Sequence, residues 1–231
     1  MPKSIEILYE DNHIIVINKK SGDIVQGDIT GDKPLSDIIK SFIKERDNKP
    51  GDVFLGTPHR IDRPTSGIVM FAKTSKALER LNKMFHDKEI QKTYWAIVKN
   101  KPLKQEDKLI HYLKKNTLKN KSIAYADPIE GAKKAELLFK IIHQFDNYYL
   151  LEIKPLTGRH HQIRIQLATI GCPIRGDLKY GFPRSNPDAS ISLHARKIEF
   201  IHPVSQLKIC IVAPPNSNDP LWKKAGELFK D

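Results

Sequence analysis

The apolar residues of this chain come mostly in short runs bounded by turn formers, and that spacing points to a fold rich in strands. Ile14-Ile15-Val16-Ile17 lies between Asp11-Asn12 and Lys19-Lys20-Ser21-Gly22, and reads as a buried strand ending in a turn. Gly67–Ala72 reads the same way. Ile90 to Val98 is a third strand, whose period of two puts Tyr94 and Trp95 on opposite faces. Further strands are expected at 134–143 and 147–154. Leu193–Ile201 and Gln206–Val212 form a last pair, joined by a turn at His202-Pro203.

Helical spacing is rarer. Ile38, Ile39, Phe42 and Ile43 share one face, and Ser36-Asp37 offers a cap. Thr74 caps a helix whose Leu78, Leu81, Met84 and Phe85 form a core-packing stripe. Thr157-Gly158-Arg159 opens a third helix, with Ile163, Leu167 and Ile170 on its buried face and Gly171 at its end. Asp219-Pro220, a capping acid with proline just inside, starts a short fourth. The connections at 100–131 and 176–191 read as the loosest. The first holds seven lysines between Lys101 and Lys121. It is either a solvated, flexible hairpin or a phosphate-binding arm.

At 231 residues the chain is long enough for one large domain or two subdomains sharing a core. Thirty-nine Lys and Arg stand against 27 Asp and Glu, a formal charge of +12. Such an excess favours a polyanionic partner: RNA, DNA or an anionic membrane surface. No apolar run nears the roughly 18 residues that span a bilayer, and the first residues hold no signal-peptide apolar region. Cys172 and Cys210 stand alone, which suits two reduced, buried thiols and a cytoplasmic protein.

Two segments concentrate chemistry. His59-Arg60-Ile61-Asp62-Arg63-Pro64-Thr65-Ser66-Gly67 precedes an apolar strand, so it is a loop delivered to a sheet edge. Its single carboxylate, Asp62, sits between two arginines that favour the ionised form. On the residues alone, a charge-balanced turn and a catalytic loop both fit. Thr157–Leu167 places Arg159, His160 and Arg164 where a helix N-terminus helps hold phosphate. Surface charge for Arg159 and an ordinary salt bridge for Arg164 are the plainer readings. His160 and His161 point to different sides of a helix and cannot chelate one ion there. Neither a zinc-type ligand spacing nor a glycine-rich nucleotide loop occurs, so no metal and no cofactor are expected.

The segment from His59 to Gly67, with Ala72-Lys73 after it, resembles the signature loop of the RluA family of pseudouridine synthases. Ile61 stands where that family usually has Leu. Four further segments resemble the family in the same order: Tyr9 to Lys19; Lys92-Thr93-Tyr94-Trp95-Ala96-Ile97-Val98; Leu156 to Arg164 running on to Gly176-Asp177-Leu178-Lys179-Tyr180-Gly181; and Leu193-His194-Ala195 with Phe200 to Pro203. Together they span about residues 8 to 215. Two departures stand out. Lys19-Lys20-Ser21-Gly22-Asp23-Ile24 replaces a Lys-Pro and Gly-Leu pattern, and Gln166 stands where the family commonly has His.

The resemblance implies an α+β fold: a central mixed, mainly antiparallel β-sheet flanked by helices, with a central cleft. It implies one catalytic domain over 1–231, without a separate N-terminal RNA-binding domain, so that the domain itself holds RNA. It implies isomerisation of uridine in structured ribosomal or transfer RNA, without cofactor or metal, by a monomer. Asp62 matches the family's essential carboxylate, Tyr94 its active-site tyrosine and Arg164 the arginine that pairs with that carboxylate. Leu193 is expected to wall the base. Arg60 is placed to enter the space left by a flipped base, with His59 assisting, while Arg159 and Lys73 are expected phosphate contacts. A noncatalytic RNA binder on the same scaffold is the alternative, and turnover separates the two. A hydrolase reading is weaker, because no second carboxylate or metal accompanies Asp62.

Overall fold

The computed structural model describes residues 5–27 and 31–229. In chain order its strands are β1 (Ile7–Glu10), β2 (Ile14–Lys19), β3 (Ser66–Ala72), β4 (Gln91–Val98), β5 (Glu106–Asn116), β6 (Lys121–Tyr125), β7 (Lys133–Gln144), β8 (Tyr149–Pro155), β9 (Leu193–Ile201) and β10 (Lys208–Val212). The helices are α1 (Leu35–Arg46), α2 (Ser75–His86), α3 (Gln162–Thr169) and α4 (Pro220–Leu228), with one 3-10 turn at Leu178–Tyr180. This is the expected α+β class, with many strands and few helices. No described helix is long and apolar enough to cross a membrane.

The chain divides into two compact units. Among the described residues, the first takes those up to Gln91 and then Ala195–Pro215; the second takes Lys92–His194 and 216–229. In the first, the strands run in the order β1-β2-β3-β9, with β10 on β9. β2 and β3 pair antiparallel from Ile14 opposite Ala72 to Lys19 opposite Gly67. Ile14 to Ile17 are 0–1% exposed, as a run buried on both sides of a sheet must be. Gly67 has φ +106°, and a Cβ there would lie 2.4 Å from the Ala195 carbonyl oxygen, so only glycine lets β3 and β9 approach.

The second unit is an antiparallel sheet in the order β4-β8-β7-β5-β6. Its inner face packs on α3: Ile163 and Leu167 join Ala96, Val98, Leu137, Phe139, Leu151 and Ile153 in one core cluster. On the other face α4 covers the β4–β8 region, where Trp222 and Ala225 pack on Trp95, Ile97, Phe145 and Leu150. Tyr94 and Trp95 thus serve opposite faces, as the period of two requires.

Three expectations need correction. The Lys-rich stretch is no loose connection, because β5 and β6 form a hairpin that β5 zips onto β7 over eight residues, Glu106–Leu113. α3 starts at Gln162 rather than near Thr157. His161 sits in the left-handed region (φ +54°), while Thr157 Oγ1 donates to Gln162 Oε1 at 2.7 Å and accepts from Glu136 N–H at 2.9 Å. That loop is pinned to β7 and cannot wind. Cys210 is exposed rather than buried, since its neighbour Ile211 takes the inward position on β10. Smaller differences follow the same logic. α1 is preceded by Pro34 with no side-chain cap, and Asp37 instead lies in its first turn. The caps at Thr74 and Asp219 form as expected. So does the stop at Gly171, where Cys172 N–H reaches Leu167 O and Gly171 N–H reaches Ala168 O.

Candidate active site

In the first unit, the loop from His59 to Thr65 enters β3 and is held mainly through its backbone. Lys19 is 1% exposed, and its ammonium donates to the carbonyls of Lys20 (3.0 Å), Asp23 (2.9 Å) and Arg63 (3.1 Å). Gly22 N–H also reaches Arg63 O at 2.9 Å, and Ser21 Oγ donates to Pro64 O at 3.0 Å. Thr65 N–H closes a turn on Asp62 O at 3.0 Å. Lys19, which ends the first matching motif, and Ser21 and Gly22, in the stretch that departs from the family pattern, therefore together clamp the loop that carries Asp62. A charge-assisted cage of three carbonyls is a strong anchor for a loop with no strand partner of its own.

The loop's side chains divide in use. Arg60 is exposed. Arg63 pairs with Asp32 at 2.7 Å. His59 stacks its ring on Phe85 (centroids 4.6 Å apart), and its Nε2 accepts from Met70 N–H at 2.9 Å, which puts the ring proton on Nδ1. Lys73 donates to Glu10 Oε1 (2.7 Å) and Asp11 O (2.6 Å), so it ties β3 to the β1–β2 turn. Arg46 also engages Glu10 through two hydrogen bonds, and these hold the Glu10 carboxyl down to about 2. Asp11 Oδ1 accepts from His13 and Ile14 N–H (2.7 and 2.8 Å), while its Oδ2 lies 2.8 Å from His202 Nε2. The first and last motifs thus fasten the frame of this unit.

In the second unit, Tyr94 is half-buried against the core cluster, opposite Ile153. Lys92 shares its face, and burial lowers the Lys92 ammonium from its ordinary value. Arg164 is 4% exposed and grips Asp177 with two hydrogen bonds, Nε to Oδ2 at 2.7 Å and Nη2 to Oδ1 at 2.8 Å. Its guanidinium carbon lies 5.2 Å from the centroid of the Tyr180 ring. The Tyr180 hydroxyl accepts from Ser122 N–H (2.8 Å) and lies 2.9 Å from His161 Nδ1. Leu193 is 4% exposed in the core cluster. Arg159 is exposed and donates through Nε to Lys134 O at 3.0 Å. Asp177 and Tyr180 are the residues that sequence reasoning passed over; both stand in the Gly176–Gly181 motif, quoted above without a role.

Gln166, the other departure from the family pattern, is fully buried. Its Nε2 lies 3.2 and 3.3 Å from the carbonyls of Ala135 and Leu109 and 3.1 Å from His111 Nδ1. A side-chain amide meets acceptors on β5 and β7 at once, so the residue bridges α3 to the sheet.

The buried histidines make stability depend on pH. Burial, with the nearby Arg164 charge second, holds the His161 imidazole down to about 2 from 6.5. Unfolded His161 binds a proton below 6.5 while the folded form does not, so folding weakens as pH falls through that window. Burial lowers His111 too, with the same sign. Glu10 also acts in this direction, but only below its ordinary 4.5. A loss of unfolding free energy between pH 6.5 and 4.5 is therefore a histidine signature. His161→Gln is expected to reduce that slope by about 1 kcal/mol per pH unit in urea melts. An unchanged slope would show that His161 protonates freely in the folded protein.

Residues 13–169 match the family model for RNA pseudouridylate synthase. The chain belongs to this family. It is 41% identical over 217 residues to the ribosomal large subunit pseudouridine synthase C of Buchnera aphidicola subsp. Schizaphis graminum (strain Sg), covering 90% of this chain and 66% of that one. It is 31% identical over 244 residues to the tRNA pseudouridine synthase C of Vibrio vulnificus (strain CMCP6), covering 98% and 96%. The chain thus spans just under two thirds of the length of its ribosomal-type relatives. The human RNA pseudouridylate synthase domain containing 4 has the same fold, with a TM-score of 0.78 over 96% of this chain and 92% of that one, at 21% identity.

Proposed function

We propose that this family member is an RNA pseudouridine synthase, an isomerase that converts uridine to pseudouridine in structured RNA, with Asp62 as its catalytic carboxylate. The observation that carries this reading is the family match across the segment that holds Asp62 and Tyr94. The clamp on the Asp62 loop supports it, because it fixes the position of a single carboxylate through backbone carbonyls of the same loop. The reaction breaks the bond from ribose C1′ to uracil N1, turns the base and joins C1′ to C5. The proton on C5 is released and N1 gains one, so no redox partner and no water are consumed.

Within this reading Asp62 acts as nucleophile or base. Tyr94 stacks on the target uracil and assists removal of the C5 proton. Arg164, already oriented by Asp177, pairs with the catalytic carboxylate and keeps it ionised. Leu193 contributes to the apolar wall. Arg60 and Arg159, both exposed, take the flipped-base space and a phosphate. Lys73 and His59 rank behind them, since the Glu10 pair and the Phe85 stack already employ both. The proposed substrate class is large-subunit ribosomal RNA, transfer RNA or both, by analogy with the relatives' names. The proposed setting is the cytoplasm, where an exposed thiol such as Cys210 stays reduced.

The test is release of tritium from ribosomal and transfer RNA labelled at carbon 5 of uracil. Isomerisation must send that tritium to water, and the responding pool names the substrate. Folded protein that binds both pools without release would overturn the reading in favour of a noncatalytic binder.

A further inference from the structure

On the outer face of the second unit's sheet, strands β6, β5 and β7 present an apolar stripe to solvent. Ile123 and Ile110 are each 44% exposed and Leu138 is 39% exposed, although all three lie mid-strand. The register places Tyr112 directly opposite Tyr125. Ile123 is diagonal to that pair. Ile110 follows Tyr112 on the same strand, and Leu138 lies one step beyond, diagonal to Ile110. The stripe therefore crosses three strands with two tyrosines at its centre. α4 covers the other end of this face, on Trp95 and Leu150.

Five lysines on the same face border the stripe: Lys108, Lys114, Lys134, Lys140 and Lys154. Three glutamates answer them. Lys108 and Lys134 share one carboxylate, Glu136 Oε1, at 2.9 and 3.3 Å. Lys140 and Lys154 pair loosely with Glu106 (3.8 Å) and Glu152 (3.5 Å). Lys114 donates to a carbonyl, Glu130 O, at 3.2 Å. The face keeps surplus positive charge around an aromatic and aliphatic centre.

We infer that this face is a docking platform for unpaired RNA, a segment flanking the modified site. The inference rests on the proposed function and names a second place where the same substrate is held. Unpaired bases stack on tyrosine rings regardless of sequence, the aliphatic side chains underlie the sugars, and lysines follow the phosphates. A duplex hides its base faces and gains only the charge. The surplus charge and the opposed tyrosines favour RNA over a protein partner, which would need apolar area without it.

The experiment measures affinity of the full chain for a mixed-sequence single-stranded RNA and for the same RNA annealed to its complement, at fixed salt. Single strands should bind more tightly. Tyr112→Ala with Tyr125→Ala should weaken single-strand binding by roughly tenfold or more, while Tyr112→Phe with Tyr125→Phe should hold it within about twofold. A benzophenone side chain introduced in place of Ile123 or Leu138 should crosslink to the RNA. Equal affinity for the duplex, unchanged binding by the alanine pair, or crosslinks only to protein would each overturn the platform. Tritium release by the same wild-type preparation keeps the two readings apart. Turnover with an unaffected alanine pair sinks the platform alone. Absent turnover sinks the synthase reading, while the crosslinks still decide the platform.

Discussion

Asp62→Asn is expected to lower tritium release by at least about a thousandfold while leaving RNA affinity and thermal stability near wild type. Asparagine preserves the size of the side chain and one acceptor oxygen but can serve neither as nucleophile nor as base at neutral pH. The fold should tolerate the change because the surrounding loop is anchored elsewhere: Arg63 O is held by Lys19 Nζ and Gly22 N–H, and Pro64 O by Ser21 Oγ. The turn at Thr65 uses the Asp62 carbonyl, which the substitution keeps. The measurement is single-turnover release beside filter binding on the same preparations. Release at the wild-type rate would remove Asp62 from the chemistry. Loss of binding alongside release would give it a role in holding substrate instead.

The largest effect on stability is expected at Asp177. Arg164 and Asp177 have side chains only 5% and 1% exposed, joined by two short hydrogen bonds. Asp177→Ala would leave a guanidinium buried without that carboxylate. Breaking a buried pair from one side costs about 3–5 kcal/mol, a large part of the total stability of a typical domain. Urea melts read this directly. Replacing both partners, Asp177→Ala with Arg164→Met, should recover part of the loss, because the buried guanidinium is removed together with its carboxylate. A change under about 1 kcal/mol in Asp177→Ala would mean that water reaches the pair. Activity should fall in either variant, but the single variant should lose more stability than the double.

Much of this architecture could be read from local pattern. Ile14–Ile17 and Leu193–Ile201 are strands because apolar and β-branched residues gather between turns. The caps at Thr74 and Asp219, and the stop at Gly171, rest on interactions within a few residues. What escaped depends on partners far along the chain. The start of α3 is set by Glu136, whose backbone engages Thr157 and Gln162. A hairpin was one reading of the Lys-rich stretch, but its lysines masked its order and its pairing with β7, although Leu109 and Leu113 on its inner face keep the period of two. Asp62 and Arg164 were marked by motif. Asp177 and Tyr180 needed the structure, because nothing in Gly176–Gly181 announces a bond to a helix that begins fourteen residues earlier. Lys19 shows the same limit. A lysine closing an isoleucine-rich strand reads as a surface end, and only its three carbonyl partners explain its burial.

Gly67 carries a consequence for how the chain is made. It admits β9 against β3, yet β3 ends at Ala72 and β9 begins only at Leu193. A ribosome adding about 5–20 residues each second needs on the order of ten seconds to produce that partner. Until then the strand that follows the Asp62 loop emerges with one edge unmet, a surface open to pairing with other chains. Translation speed and chaperone supply should therefore govern the yield of active protein more than its final stability does.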